Sequence, residues 1–197
     1  MINNLEQIKS LLKFENENEF YFVQVIQRSK ENPDLGKNNN LVKAYYVYSL
    51  EYLDKKFPEM VKLAEVFNAR VYIHLNRRNA YNIALELMED LAHNIRSNAL
   101  KTLSKSYSSV CGKHHSEKDK TWIVDIDIED KNSQIIIDII GTINSLEPRT
   151  EEGKLVKVIY TKNGVHLITK PFNSQKFSEI YPEISLHKNN PTILYIP

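Results

Sequence analysis

The sequence feature that most limits the fold is the run Thr-Trp-Ile-Val-Asp-Ile-Asp-Ile at residues 121–128. Its β-branched and aromatic residues are typical of a β-strand. Because side chains alternate across a strand, Asp125 and Asp127 project from one face while the apolar residues beside them project from the other. The run therefore predicts a strand with one face in a core and two carboxylates on the second face.

The chain that follows this strand predicts a definite order of elements. Hydrophobic periodicity predicts a helix through Ile135 and Ile143, strands at 155–160 and 165–169, a helix at 175–180, and strands at 183–187 and 192–196. The two central strands are separated by Lys-Asn-Gly, which is typical of a hairpin. Residues 120–197 are therefore predicted to form a β-α-β-β-α-β core with one added terminal strand, the split βαβ arrangement of ferredoxin-like folds.

Residues 1–110 predict a mixed α/β unit packed with this core. The expected elements are strands at 20–27, 41–48 and 70–75, a helix from Leu50 that kinks or restarts at Pro58, and a long helix from Ala80 through Ile95 towards Leu103. Residues 106–120 are polar and contain a glycine, which predicts a loop. We expect an α/β fold of the α+β type, as one compact domain over residues 1–197.

Composition excludes several classes of protein. The hydrophobic fraction of 42% and the charged fraction of 26% are ordinary globular values, and the net charge of +1 predicts no large basic surface. No apolar stretch approaches the roughly 20 residues of a membrane span, and the N-terminal residues do not resemble a signal peptide. We expect a cytoplasmic protein without a membrane partner. Cys111 is the only cysteine, so no internal disulfide can form.

The acidic strand and a later histidine are the best candidates for chemistry. Two carboxylates in one small space repel each other, and divalent cations bound to substrate phosphates relieve that repulsion. Asp125 and Asp127 could instead form the exposed polar face of an edge strand. His166 follows the predicted hairpin, where an imidazole can reach a phosphate at a sheet edge, although a structural role is the ordinary one for a lone histidine.

Two short elements resemble motifs of the archaeo-eukaryotic primase, or primase-polymerase, superfamily. Ile-Val-Asp-Ile-Asp at 123–127 is similar to that family's strand of the form apolar-Asp-apolar-Asp. Thr-Lys-Asn-Gly-Val-His at 161–166 is similar to its later small-residue-Gly-x-His element. The order of the motifs, their separation and the β-α-β-β context also agree, over residues 20–197. The resemblance implies an RRM-like catalytic core behind an N-terminal α/β unit.

This resemblance implies a nucleotidyltransferase that extends nucleic acid from nucleoside triphosphates with Mg²⁺ or Mn²⁺. Asp125 and Asp127 would be catalytic metal ligands. His166 would contact the phosphates of the nucleotide, with Lys162 and Asn163 beside it in the same element.

The third acidic position of the family has no clear counterpart. Downstream of His166 the carboxylates are Glu179 and Glu183, and residues 187–190 read His-Lys-Asn-Asn without an aspartate. This departure leaves open a noncatalytic nucleic-acid or nucleotide-binding module of the same fold. A protein-interaction domain without any nucleotide role is a third possibility.

A second enzyme class is suggested by His74 and His166, since two-histidine phosphoesterases use a pair of His-bearing strands as general acid and base. That class also needs a hydroxyl two residues after each histidine, where this chain has Asn76 and Ile168.

A separate metal site is suggested by Cys111, His114 and His115, whose side chains suit zinc. Their spacing does not supply four recognised ligands, so a solvated loop is the alternative.

Basic residues indicate where a nucleic acid would bind if the resemblance holds. Arg70, Arg77 and Arg78 flank the strand at 70–75, and Lys101 and Lys105 belong to a basic stretch. Template or triphosphate contacts would come from these side chains, because phosphate neutralisation supplies much of such affinity. The alternative is that they are solvated surface cations.

Overall fold

The structure, a computed structural model, describes residues 1–116, 118–127 and 134–197. It has an α+β fold in which helices pack on two antiparallel sheets. In the described ranges, no helix combines the length and the apolar character needed to cross a membrane.

The first sheet is built mainly by the N-terminal half of the chain. Its strands are β1 (Ile2–Asn3), β2 (Glu19–Gln27), β3 (Asn40–Val47), β4 (Arg70–Ile73), β5 (Arg78–Asn79) and β10 (Thr192–Ile196). The order is β1-β10-β4-β2-β3, and β5 pairs with one end of β2. The predicted strands at 20–27 and 41–48 are confirmed as an antiparallel pair, and the strand predicted at 70–75 ends two residues early.

One face of the first sheet is covered by the helix α2 (Leu50–Val66). Its N-terminus is capped by Ser49, whose hydroxyl accepts a hydrogen bond from the backbone N–H of Tyr52 at 3.1 Å. Leu53 and Met60 are fully buried against the sheet, and each such side chain contributes about 1.5–3 kcal/mol. The predicted restart at Pro58 is wrong, because one helix runs through the proline with Phe57 and Met60 buried in the core, and the alternative of a kink there stays a prediction.

The opposite face is covered at one end by the helices α3 (Ala80–Arg96) and α4 (Ser106–Lys113). A short helix α1 (Leu5–Lys9) precedes β2. The helix α3 does not reach Leu103 as predicted, because Asn98 at φ 56° ends it. Leu103 lies instead in a 3₁₀ segment, Leu100–Lys105. The loop predicted for 106–120 is wrong for its first half, since burial of Val110 and Cys111 against strand β2 stabilises α4.

The second sheet has the connectivity predicted for residues 120–197. Its elements are β6 (Trp122–Asp127), α5 (Gln134–Ser145), β7 (Leu155–Tyr160), β8 (Gly164–Thr169), α6 (Ser174–Ile180) and β9 (Ser185–His187). The strand order is β7-β8-β6-β9 with every neighbouring pair antiparallel. The parallel strands β6 and β7 are therefore separated by β8, which confirms the β-α-β-β-α-β order. The RRM-like identity of this unit stays a prediction.

The outer face of the second sheet packs against α5 and α6 through Trp122, Val124 and Ile126, as the alternation predicted. Ile128, the last residue of the predicted acidic strand, lies outside the described residues. The inner face carries Ile123 and Ile168 into the core shared with the first sheet, and it also carries Asp125. The two sheets thus face each other across a layer that is apolar in its middle.

The predicted terminal strand exists but does not extend the second sheet. β10 pairs with β1 and β4 of the first sheet instead, with Ile196 opposite Ile2 and Thr192 opposite Ile73. Between β9 and β10 the chain therefore crosses from one sheet to the other. This crossing places Thr192 beside His166.

Candidate functional site

A cleft of 610 Å³ opens between the inner face of the second sheet and the first sheet. The charged and imidazole side chains that line it are Asp125, Asp127, Lys162, His166 and His187 from the second sheet and its hairpin, and Arg28, Lys30, Glu31 and Arg70 from the first sheet and the loop after β2. Asn163 and Tyr72 also line it. All five residues predicted for catalysis and nucleotide binding therefore line one cleft.

The acidic strand and the predicted histidine are direct neighbours. Asp125 and His166 are opposite each other in the β6–β8 register, and Nε2 of His166 lies 3.3 Å from Oδ1 of Asp125. Nδ1 of the same ring lies 2.8 Å from the hydroxyl of Thr192. Thr192 is fully buried, so its hydroxyl orients the imidazole and is not exposed to the cleft as a nucleophile. The ring is thus held with one nitrogen turned to the carboxylate.

A second imidazole, which the sequence did not single out, joins this pair. His187 at the end of β9 has its Nε2 4.0 Å from Oδ2 of Asp125, and its Nδ1 accepts a hydrogen bond of 3.0 Å from the amide of Asn190. The strands β8, β6 and β9 therefore present His166, Asp125 and His187 in a row. The strand predicted at 183–187 begins two residues later, at Ser185, and the approach of its last side chain to Asp125 could not be read from local sequence.

The surroundings of Asp125 favour its ionised form. The hydrogen bond from His166 lowers the pKa of this carboxyl, partial burial raises it, and the electrostatic interactions with His166, His187 and Arg28 lower it further. The net result is a pKa below the ordinary value of 3.8. Asp125 is therefore an anion that the cleft itself stabilises.

Asp127 differs from Asp125 in having an exposed side chain without an ion pair among the described residues. It lies on the same face of β6, two residues along the strand. Its carboxylate is thus available to a ligand or cation in the cleft.

The carboxylate pair can be tested for fit to the divalent cation that the resemblance implies. Within the described ranges, no group of three or more His, Cys, Asp or Glu side chains is arranged to hold a metal ion. Mg²⁺ at nucleotide sites needs less, because it binds through one or two carboxylates together with substrate phosphates. Asp125 and Asp127 supply hard oxygen ligands of the right kind and number for that mode of binding.

The cations of the cleft fall into two groups. Arg70 and Lys162 both contact the carboxylate of Glu31. For Arg28 and Lys30, by contrast, no carboxylate of the described residues lies within 4.0 Å of the charged group. The cleft therefore has positive charge that its own carboxylates do not neutralise.

Arg77, predicted to contact nucleic acid, lies elsewhere. It is buried beside a second cavity of 430 Å³, where its guanidinium contacts Glu19 at 2.7 Å, Asp119 at 3.0 Å and Glu15 at 3.4 Å. Three carboxylates around one guanidinium indicate a structural ion cluster.

Arg78 is fully buried and ties α4 to the first sheet. It donates hydrogen bonds to the carbonyls of Asn76, Cys111 at 2.7 Å and Gly112 at 3.3 Å. The latter two belong to the last turn of α4, where the helix dipole favours a cation. Lys101 and Lys105 are exposed on the 3₁₀ segment and do not line the cleft.

His74 does not share the cleft with His166. It is buried, its ring stacks on Phe22 at 5.5 Å, and its Nδ1 lies 3.1 Å from Nη2 of Arg78. Burial and the charge of Arg78 lower the pKa of His74 to about 3. A neutral, enclosed imidazole of this kind does not supply the second acid-base group of a two-histidine phosphoesterase.

The residues predicted as a separate metal site are not brought together as ligands. Cys111 is buried in the core, and burial raises the pKa of its thiol to about 11, which opposes the thiolate that a metal requires. His114 contacts Glu86 at 3.3 Å, and Nδ1 of His115 lies 3.0 Å from the carbonyl oxygen of Ser116.

Comparison with known proteins adds no relative to this picture. No protein-family model matches the chain. No curated protein matches it. No solved structure matches it either. The resemblance to the primase-polymerase superfamily therefore stays a prediction carried by the two motifs.

Proposed function

We propose that the cleft binds a nucleoside triphosphate with a divalent cation and catalyses nucleotidyl transfer of the primase-polymerase type onto a nucleic acid. The observation that carries this proposal is the meeting of both predicted motifs in one cleft. Asp125 and Asp127 line it from one strand, and Lys162, Asn163 and His166 line it from the hairpin that ends beside that strand.

In this proposal the two carboxylates would hold Mg²⁺ or Mn²⁺. When bound with the triphosphate, such a cation neutralises the charge on the phosphate oxygens. Asp125 is kept ionised by its imidazole neighbours and by Arg28, and Asp127 is open to the cleft. The carboxylate pair would thus be ready to bind a cation at neutral pH.

The cationic groups would position the triphosphate. The ring of His166 is oriented by the buried Thr192, and its Nε2, which lies 3.3 Å from Oδ1 of Asp125, would donate to a phosphate oxygen when Asp125 serves as a cation ligand. Arg28 and Lys30 add positive charge from the opposite wall. A growing nucleic acid must place its hydroxyl beside the same phosphates, so it would enter this cleft and not the region of Arg77 or Lys101.

A second candidate is a noncatalytic nucleotide-binding or nucleic-acid-binding module that uses the same cleft. It is favoured by the geometry of Asp125, whose two oxygens each face an imidazole. A carboxylate engaged in this way can hold histidines for phosphate binding without ever binding a metal ion.

The catalytic proposal is tested by primer synthesis with labelled nucleotides and Mn²⁺ or Mg²⁺. We expect Asp125→Asn and Asp127→Asn each to lower the rate by about 100-fold or more, since each removes a cation ligand while preserving side-chain shape. Asp138→Asn is a matched control, because its exposed carboxylate lies on α5 and does not line the cleft.

Equal rates in all four proteins would reject the assigned roles. Calorimetry separates the second candidate, which predicts nucleotide or single-stranded DNA binding by the wild type without any primer extension.

A further inference from the structure

The carboxylate of Glu31 is surrounded by cations at the edge of the cleft. Arg70 grips it with two hydrogen bonds, from Nε at 2.9 Å and from Nη2. Lys162 approaches it with Nζ at 3.4 Å, and the charge of Arg28 also acts on it. Two parallel N–H donors from arginine and a nearby ammonium form the arrangement by which proteins recognise a phosphate group.

The charges around Glu31 outweigh its burial. Burial alone would raise the pKa of this carboxyl, but the hydrogen bonds and charge of Arg70, with the charges of Lys162 and Arg28, bring it below its ordinary value. Glu31 is therefore an anion held in a positively charged site.

The two contacts of Glu31 differ in strength. The side chain of Arg70 is 8% exposed and belongs to the same sheet as the Glu31 loop, so this ion pair is enclosed and two-pronged. The side chain of Lys162 is 59% exposed and comes from the hairpin of the second sheet. An exposed pair of this kind contributes little to stability, because solvent screens it. A ligand can therefore take over Lys162 at little cost.

These three residues also lie where two cavities meet. Glu31, Arg70 and Lys162 line both the cleft and a neighbouring cavity of 550 Å³. The contact between Lys162 and Glu31 thus bridges the two sheets at the boundary of the cleft.

We infer that Glu31 occupies an anion-binding site for a phosphate group of the ligand, so that its carboxylate competes with the ligand for Arg70 and Lys162. The inference rests on the proposed function, since it assigns a polyphosphate to the same cleft. Binding of the polyphosphate transfers Lys162 from Glu31 to a phosphate oxygen. Glu31 therefore sets the affinity of the cleft for anions by excluding ligands too weakly charged to displace it.

The test is calorimetric titration with inorganic tripolyphosphate in metal-free buffer. Glu31→Gln removes the competing charge but keeps an oxygen that can accept from Arg70, and we expect it to bind tripolyphosphate about tenfold more tightly than the wild type. Glu59→Gln is the matched control. The carboxylate of Glu59 likewise contacts two cations, Lys43 and Lys56, but it lies on α2 and lines neither cavity. The affinity of the Glu59→Gln variant for tripolyphosphate should therefore equal that of the wild type.

Thermal melting establishes that the variants are folded. Should Glu31→Gln fail to fold, Glu31→Asp shortens the competing carboxylate and should raise the affinity by a smaller factor. If the wild type binds tripolyphosphate and the folded Glu31 variant binds it equally or more weakly, the inference is overturned but the proposed function is not. Absence of tripolyphosphate binding by every protein, both in metal-free buffer and with Mg²⁺ added, would overturn the proposed function together with it.

Discussion

The two cavities that lie along strands β6 and β8 differ in how their charges are compensated. Both cavities are lined from the inner face of the second sheet. Asp125 and His166 line the cleft, whereas Thr121 and Ile168 line the second cavity. Both cavities are rich in lysine and arginine. Ile123, opposite Ile168 in the register, belongs to the apolar core between the polar ends of this face.

In the second cavity, cations are paired with carboxylates of the chain. Arg77 contacts Glu19 and Asp119, and Lys118 contacts Glu15. In the cleft, Arg28 and Lys30 have no such partner among the described residues. Basic residues alone therefore do not indicate an anion site. The difference lies in whether the fold has already supplied their counter-ions.

The largest effect should come from removing a counter-ion in the second cavity. Glu19→Gln leaves the buried guanidinium of Arg77 with only its more exposed partners, so we expect the free energy of unfolding to fall by about 2–3 kcal/mol. Arg28→Gln in the cleft should change it by less than about 1 kcal/mol. Urea denaturation measures both. A loss below 1 kcal/mol for Glu19→Gln would mean that the ion cluster has no structural role.

A smaller effect should distinguish the cavities by ligand affinity. Arg28→Gln and Lys118→Gln remove the same charge from the cleft and from the second cavity. We expect the first to weaken tripolyphosphate binding about tenfold and the second to leave it within about twofold, because Lys118 already has Glu15 as a partner. Equal losses in a titration would show that the contrast between the cavities does not govern anion binding.

The smallest expected effect concerns acid stability of the row His166, Asp125 and His187. Because the pKa of Asp125 is lower in the folded state, the unfolded state takes up the proton first as the pH falls. The stabilisation is therefore complete above about pH 4 and is lost as the pH falls through the folded pKa. Asp125→Asn should lose less stability than the wild type between pH 5 and pH 2, by up to about 1 kcal/mol. Denaturant titrations at each pH measure the free energy of unfolding of both proteins. Equal losses in the wild type and in Asp125→Asn would contradict this prediction.

Much of the second sheet was predictable because its strands have strong local signals. The hairpin between β7 and β8 follows from Lys-Asn-Gly, and the acidic face of β6 follows from strict alternation. The helix α4 was missed because its sequence, Ser-Tyr-Ser-Ser-Val-Cys-Gly-Lys, is polar, and it is stabilised by burial of two side chains against a distant strand. The placement of β10 was missed for a similar reason, since its partners β1 and β4 are remote in the sequence.

Buried cations were also beyond the reach of local sequence. Arg78 has the same residue type as Arg28, but it is fully buried among carbonyls at the end of α4. Lys154 is likewise fully buried and donates to the carbonyls of Ile143 and Asn144 in the last turn of α5 and of Leu146 just after it. These cations stabilise helix ends, a role that depends on which helix terminates beside them.

The sequence by itself determined that Asp125 and Asp127 share a face and that His166 follows on a hairpin strand, because strand alternation and turn chemistry act over a few residues. Only the tertiary structure decided that His187 approaches Asp125, and that Arg28 and Glu31 line the cleft with Arg70 while Arg77 and Arg78 do not. The physical reason is that strand pairing and charge compensation are long-range. Whether a cation is already paired or remains available to a ligand depends on carboxylates that folding brings from distant parts of the chain.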